Sequence, residues 1–257
     1  MISYNAVTAW SVSHPWPTRE QVEQDFLLSQ AICEIANDAM LEKELIFRGG
    51  TVLHKIFLSE PYRYSEDIDF VRTTSGGIGD IMKRLASLGE SMGYEIRTRI
   101  GQFPKVWWRG TAQSGVPLKI KIEIDTFERS PALPLITKPH VVHADWYQEC
   151  AEVLTFQLEE LLATKIRALY QRSKGRDLLD LWLALKNLSP DTEKIVFAFT
   201  PYKPDGFTAK QAISNLRLKL NDVSFRVDID NLVSQRLQGY DVDEAGAMII
   251  DTLLARL

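Results

Sequence analysis

The chain has 257 residues, enough for one large domain or two small ones around a substantial core, and its 45% hydrophobic and 25% charged content excludes collagen-like and disordered classes. No apolar run approaches the ~20 residues of a bilayer-crossing helix, so no membrane partner is expected, and the first residues lack the basic start and apolar stretch of a secretion signal, which makes cytoplasm the expected compartment. A net charge of −4 does not advertise nucleic-acid binding and leaves that role to a local basic patch.

Residues 1–17, rich in Trp, Pro and Ser, read as an extended arm anchored by Trp10 and Trp16. Thr18 with Gln21 forms a capping-box pattern, and Val22, Phe26, Leu27, Ala31, Ile32, Ile35, Ala36 and Met40 recur at helical spacing, which predicts one long helix to about Glu42. Leu45–Arg48 is a short strand feeding Gly49 and Gly50, whose missing Cβ atoms allow a sharp turn and let backbone N–H groups approach a phosphate at the start of the next helix. On that helix His54 and Lys55 are polar, and Lys55 reads as a solubilising charge. In the strand that follows, Asp67 and Asp69 alternate with Ile68 and Phe70, so both carboxylates stand on one face, the outline of a divalent-metal site. Glu66 falls on the opposite face. Ser65 is placed to bond either a phosphate or the loop backbone.

Beyond the turn TTSGGIGD, a helix is predicted over 78–92 and strands over 94–109 with a turn near Gly101–Pro104. Residues 117–125 alternate strictly: Ile120, Ile122 and Ile124 face a core, while Lys119, Lys121, Glu123 and Asp125 share a polar face. Between Tyr94 and Lys121, six Lys or Arg (Arg97, Arg99, Lys105, Arg109, Lys119, Lys121) are interleaved with Tyr94, Phe103, Trp107 and Trp108, a candidate RNA surface or an ordinary sheet with core Trp residues. Residues 130–145, with three prolines and two His, read as a loop crossing between domains. In the helix over 158–172, Lys165 and Arg172 project from one face, and Asp177 and Asp180 lie one turn apart on the next helix, a pattern that also suits a structural ion-pair network. Helices follow over 192–199, 209–220 and 243–257. Cys33 and Cys150 read as buried thiols, too few for a disulfide framework.

Taken together, Gly49-Gly50-Thr51, Arg63-x-Ser65-x-Asp67-Ile68-Asp69, Lys165-x-x-Ala168-Leu169-x-x-Arg172 and Arg176-Asp177-x-x-Asp180 resemble the AbiEii/AbiGii (MenT-like) nucleotidyltransferase toxins of bacterial toxin–antitoxin and phage-resistance systems. The resemblance spans about residues 30 to 187. It implies an α+β fold of the DNA polymerase β type: a mixed-sheet nucleotidyltransferase core with flanking helices over 1–145, arm and first helix included, then a helical domain over 146–257. It further implies Mg²⁺ held by Asp67 and Asp69 and by a third carboxylate from the 117–125 strand, Asp125 with Glu123 as the alternative. Gly49, Gly50, Thr51, Ser65, Lys165 and Arg172 would bind a nucleoside triphosphate. Lys165 would also stabilise departing pyrophosphate, and Asp177 would act as acid/base or orient substrate. The implied reaction moves a nucleoside monophosphate onto RNA, in particular the tRNA 3′ end, with a cognate antitoxin encoded alongside. A small-molecule nucleotidyltransferase and a non-catalytic binding module are the alternatives.

Overall fold

The computed structural model describes residues 2–257. The expected arm is a helix, α1 (Tyr4–Ser13), N-capped by Ser3. Trp10 and Trp16 are both buried, and Trp10 Nε1 donates to Asp25 Oδ2 at 2.9 Å. The arm reading failed because α1 is short and nearly equally apolar all round, so it shows no helical stripe. α2 (Arg19–Ala36) begins with the Thr18/Gln21 capping box and ends earlier than expected, at Asn37, before the single turn α3 (Leu41–Glu44).

Seven strands form one mixed sheet: β1 (Leu45–Arg48), β2 (Asp67–Arg72), β3 (Glu95–Arg99), β4 (Lys105–Thr111), β5 (Pro117–Asp125), β6 (Ile136–Ala144) and β7 (Tyr147–Thr155), in the spatial order β3-β4-β5-β2-β1-β7-β6. β2 runs antiparallel to β1 and parallel to β5, so its two polar residues face neighbours on both sides. The stretch expected to be a crossing loop is β6, antiparallel to β7. Its Pro139 hid the strand in the sequence; β6 lies at the sheet edge, where a missing N–H costs no ladder bond. The expected step from core to helices at 145/146 therefore falls inside a hairpin, and the sheet continues to Thr155. His140, read as a loop histidine, is buried in β6, while Cys33 is buried and Cys150 exposed.

One hydrophobic cluster packs α1, α2 and α5 (Gly79–Ser91) on the sheet. A second lies among α6 (Leu158–Gln171), α7 (Gly175–Asn187), α8 (Thr192–Phe199), α9 (Ala209–Leu220), α10 (Val223–Arg226) and α11 (Val242–Thr252). Leu53 and Leu58, just beyond the Gly turn, belong to this second cluster. The turn thus sits where sheet and helices meet. Among the described residues no helix is long and apolar enough to cross a membrane.

Candidate active site

β1 runs straight into Gly49 and Gly50, which open a short helix, α4 (Gly49–Val52). Gly49 has φ +86°, the left-handed region, and a Cβ on it would lie 2.7 Å from Asp69 Oδ2. A Cβ on Gly50 would lie 2.7 Å from Arg63 Nη2. Both positions therefore need glycine, the first for conformation and space, the second for space. Thr51 Oγ1 lies 2.8 Å from Ser65 Oγ and donates to the Asp67 carbonyl, which closes the loop against β2.

On β2 the carboxylates of Asp67 and Asp69 share a face, as the alternation predicts. The β5 register sets Lys121 beside Asp67 and Glu123 beside Asp69. Lys121 Nζ lies 2.7 Å from Asp67 Oδ2 and 3.6 Å from Glu123 Oε2, and Lys105 pairs with Glu123 at 2.8 Å. Arg48, opposite Asp69 on β1, turns instead to Asp125 (3.5 Å) and Glu128, which Arg167 also binds. Asp69 is left without an ion-pair partner within 4.0 Å among the described residues. Burial, and then the Asp67 charge beside it, push its carboxyl above the ordinary range.

The expected third carboxylate is not gathered with the pair. Asp125 accepts the backbone N–H groups of Phe127 (2.7 Å) and Glu128 (3.2 Å), a tie that fixes the turn after β5. Glu123 is held by its two lysines. Among the described residues no three His, Cys, Asp or Glu side chains converge as a metal-binding group. The two-carboxylate set still fits a divalent cation whose remaining ligands come from substrate: Mg²⁺ characteristically takes one or two carboxylates plus phosphate oxygens and water. The excess negative charge at Asp69 is the observation that favours such an ion.

Across the Gly turn, α6 and α7 supply the opposite wall. Lys165 Nζ bridges Asp177 Oδ1 (3.1 Å) and Asp180 Oδ2 (2.7 Å), and Arg172 grips Asp177 with Nε and Nη2 at 2.7 and 2.8 Å. Fully buried Asp180 also accepts Arg63 through Nε (2.9 Å) and Nη2 (3.1 Å), and His54 Nε2 at 2.8 Å. Burial alone would raise both acids. Lys165 and Arg172 outweigh it at Asp177, and Arg63, Lys165 and His54 outweigh it at Asp180, so both stay ionised. Burial, with Arg63 next, lowers His54 to about 4, leaving it neutral with its Nε2–H donating to Asp180.

Two cavities open on this arrangement. The larger, about 500 Å³, is lined by Asp67, Asp69, Phe103, Lys121, Glu123 and Asp125 with Arg48, Glu128, Arg167 and Arg172. The smaller, about 160 Å³, is lined by Gly50, Thr51, Ser65, Lys165, Arg172 and Arg176. Asp67, Asp69 and Arg172 border both. The site residues expected from sequence thus lie along one cleft, with Asp177 behind it as the anchor of Lys165 and Arg172.

Arg63 and Asp180 stood in the quoted blocks, yet their pairing, which closes the back of the Gly turn, was assigned to neither. His54 and Arg48 carried no signal because their partners are remote in sequence. Lys55 is not a solubilising surface charge: its side chain is 8% exposed and its Nζ sits 2.7 Å from buried Asp25. A Lys on a helix declares its surroundings only through its partner.

The family model described as nucleotidyl transferase AbiEii toxin, type IV TA system, matches residues 30–245. Among solved structures, MenT4, a nucleotidyltransferase toxin from Mycobacterium tuberculosis H37Rv, superposes with a TM-score of 0.67 over 100% of this chain and 91% of that one, at 15% identity, a likeness of fold. An antigenic nucleotidyltransferase-like protein from Paracoccidioides brasiliensis has a TM-score of 0.49 at 17% identity, covering 83% of this chain and 95% of that one. No curated protein matches by sequence. With the Gly turn, the paired strand carboxylates and the Lys/Arg wall assembled in one cleft, the chain belongs to the AbiEii family of nucleotidyl transferase toxins of type IV toxin–antitoxin systems.

Proposed function

We propose that this nucleotidyltransferase moves a nucleoside monophosphate from a nucleoside triphosphate to an RNA hydroxyl, with the tRNA 3′ end as acceptor and Mg²⁺ as the metal. Asp67 and Asp69 hold the ion, Asp125 staying on the same wall but committed to the turn amides. What Mg²⁺ supplies when bound is charge neutralisation at the phosphates and a more acidic attacking hydroxyl. The triphosphate lies in the smaller cavity against the Gly49–Gly50 turn, Thr51 and Ser65, with Lys165 and Arg172 as its cations. The acceptor oxygen bonds to the α-phosphorus, the bond to the β-phosphate breaks, pyrophosphate leaves beside Lys165 and Arg172, and the hydroxyl proton passes to the medium. Asp177, held ionised, serves by orienting those two cations; an acid role does not suit it.

The observation that carries this reading is Asp69, a carboxylate beside Asp67 in a cleft with no ion-pair partner within 4.0 Å among the described residues and its proton affinity raised. RNA as acceptor is supported by sheet register. Arg97, Trp107, Lys121 and Asp67 form one cross-strand row, and Arg99, Lys105, Glu123 and Asp69 the next, so a basic face with one aromatic ring leads to the carboxylates. Trp108 and Tyr94 do not belong to that face: Trp108 is buried, donates to the Leu85 carbonyl at 3.0 Å and stacks on Tyr94. The small-molecule alternative calls for a pocket that attracts a cationic substrate, whereas Arg48, Lys121, Arg167 and Arg172 are interspersed among the acids here. The protein would act in the cytoplasm, where both substrates are found, restrained by a cognate antitoxin and serving phage resistance.

The test is incubation with Mg²⁺, each α-labelled nucleoside triphosphate and total tRNA, beside Asp69→Ala. Label on tRNA with the wild type alone is expected; no label with any nucleotide would remove tRNA as acceptor.

A further inference from the structure

The larger cavity has one feature that metal and phosphate chemistry leave unused. Its lining is charged except for Gln171 and two phenylalanines: Phe70, which is buried in the core, and Phe103, which is 37% exposed. Beside Phe103 stands Phe127, 64% exposed, with the ring centroids 5.9 Å apart and the planes at 70°. Both rings sit on turns that are tied down. The Phe103 turn joins β3 to β4, and its Pro104 carbonyl accepts the Ile124 N–H at 2.9 Å; the Phe127 turn follows β5 and is fixed by Asp125 through the Phe127 N–H. Phe127 is left largely in water and Phe103 partly so beside a highly charged cavity, and the exposed faces of the two rings contribute little to the core, so packing does not account for their exposure.

We infer that Phe103 and Phe127 form the stacking site for the base of the incoming nucleoside triphosphate. The inference rests on the nucleotidyl-transfer reading and adds to it where the base goes. Asp67 and Asp69 border both cavities, with hydroxyl groups, Gly50 and Lys165 lining the smaller one and Phe103, against which Phe127 packs, lining the larger. A nucleoside triphosphate runs likewise from polyanion through the reacting α-phosphate to a flat aromatic base. A ring face reads no hydrogen-bond pattern, so the pair sets affinity for all four nucleotides and leaves selection among them to other groups. The same geometry gives Asp125 a task as a positioning residue for Phe127.

The experiment is calorimetric binding, in Mg²⁺ and without RNA, of ATP, GTP, CTP, UTP and inorganic tripolyphosphate to the wild type, Phe103→Ala, Phe127→Ala and Phe103→Trp, with thermal unfolding run on each. Phe103→Ala is expected to weaken all four nucleotides by about 5- to 100-fold and Phe127→Ala by less. Tripolyphosphate affinity and the unfolding temperature are expected to stay put, and Phe103→Trp to bind nucleotides as well as the wild type or better. Nucleotide affinity unchanged in both Ala variants overturns the inference alone, as does an equal loss for tripolyphosphate, which would make the rings structural. A wild type that binds tripolyphosphate but gains nothing from any base also overturns it. A wild type that binds no nucleotide at all overturns the nucleotidyl-transfer reading, and this inference with it.

Discussion

The two charged walls that flank the Gly turn are built on opposite principles. On the helical side, Asp177 and Asp180 are buried and matched by Lys165, Arg172, Arg63 and the His54 ring, and both acids are held below their ordinary range. On the sheet side, Asp69 has no such partner and is pushed up by burial and by Asp67. A chain buries charge cheaply only where it supplies the countercharge. The matched wall therefore holds its cations in position, and on the sheet side Asp69 is the carboxylate whose missing countercharge the proposed metal ion would supply.

Breaking the matched wall is expected to have the largest effect. Asp180→Ala removes the buried countercharge that Arg63 and Lys165 share, at a cost of about 3–5 kcal/mol in denaturant unfolding. A loss below about 1 kcal/mol would sink the contrast between the walls. Asp69→Asn tests the other side. Nucleotidyl transfer is expected to drop by at least about 100-fold, roughly 2.7 kcal/mol in barrier, while the unfolding temperature holds or rises, because the folded protein already disfavours that charge. A clear fall in stability would show Asp69 to be a structural acid.

Between the walls, Gly49→Ala forces a side chain into a left-handed φ and against Asp69 Oδ2. Unfolding should cost about 1–2 kcal/mol from the backbone alone, with weaker binding of the triphosphate. Equal stability and affinity in the variant would mean that the turn tolerates a Cβ. A pH slope tests the same rule of buried charge. His54 and His140 are lowered to about 4, chiefly by burial, from an ordinary 6.5. As pH falls through that window the unfolded chain takes up protons that the folded one refuses. Stability is therefore full above about pH 6.5 and declines towards pH 4, by ~1.4 kcal/mol per pH unit for each histidine. His54→Gln should flatten the slope by its share; an unchanged slope would mean that His54 is not shielded from water in the folded protein.

What could be read before folding follows the range of each signal. The capping box at Thr18, the strand Leu45–Arg48 and the alternation over Pro117–Asp125 are local patterns, and each appears where expected. α1 escaped because it lacks a stripe, and β6 because Pro139 argues against a strand unless that strand is known to lie at an edge. Within the site, the shared face of Asp67 and Asp69 is a consequence of strand period. That Asp125 serves a turn, that Lys55 neutralises Asp25, and that Arg63 and His54 converge on Asp180 depend on partners from distant segments.

The Gly turn, the carboxylate pair and the spacing of Lys165 and Arg172 follow from local sequence, because backbone sterics and the periods of strand and helix act over a few residues. Which charges are neutralised and which are left over follows from how distant segments pack. Proton affinity and metal preference depend on burial and on distances of a few ångströms between segments, and no local pattern carries that information.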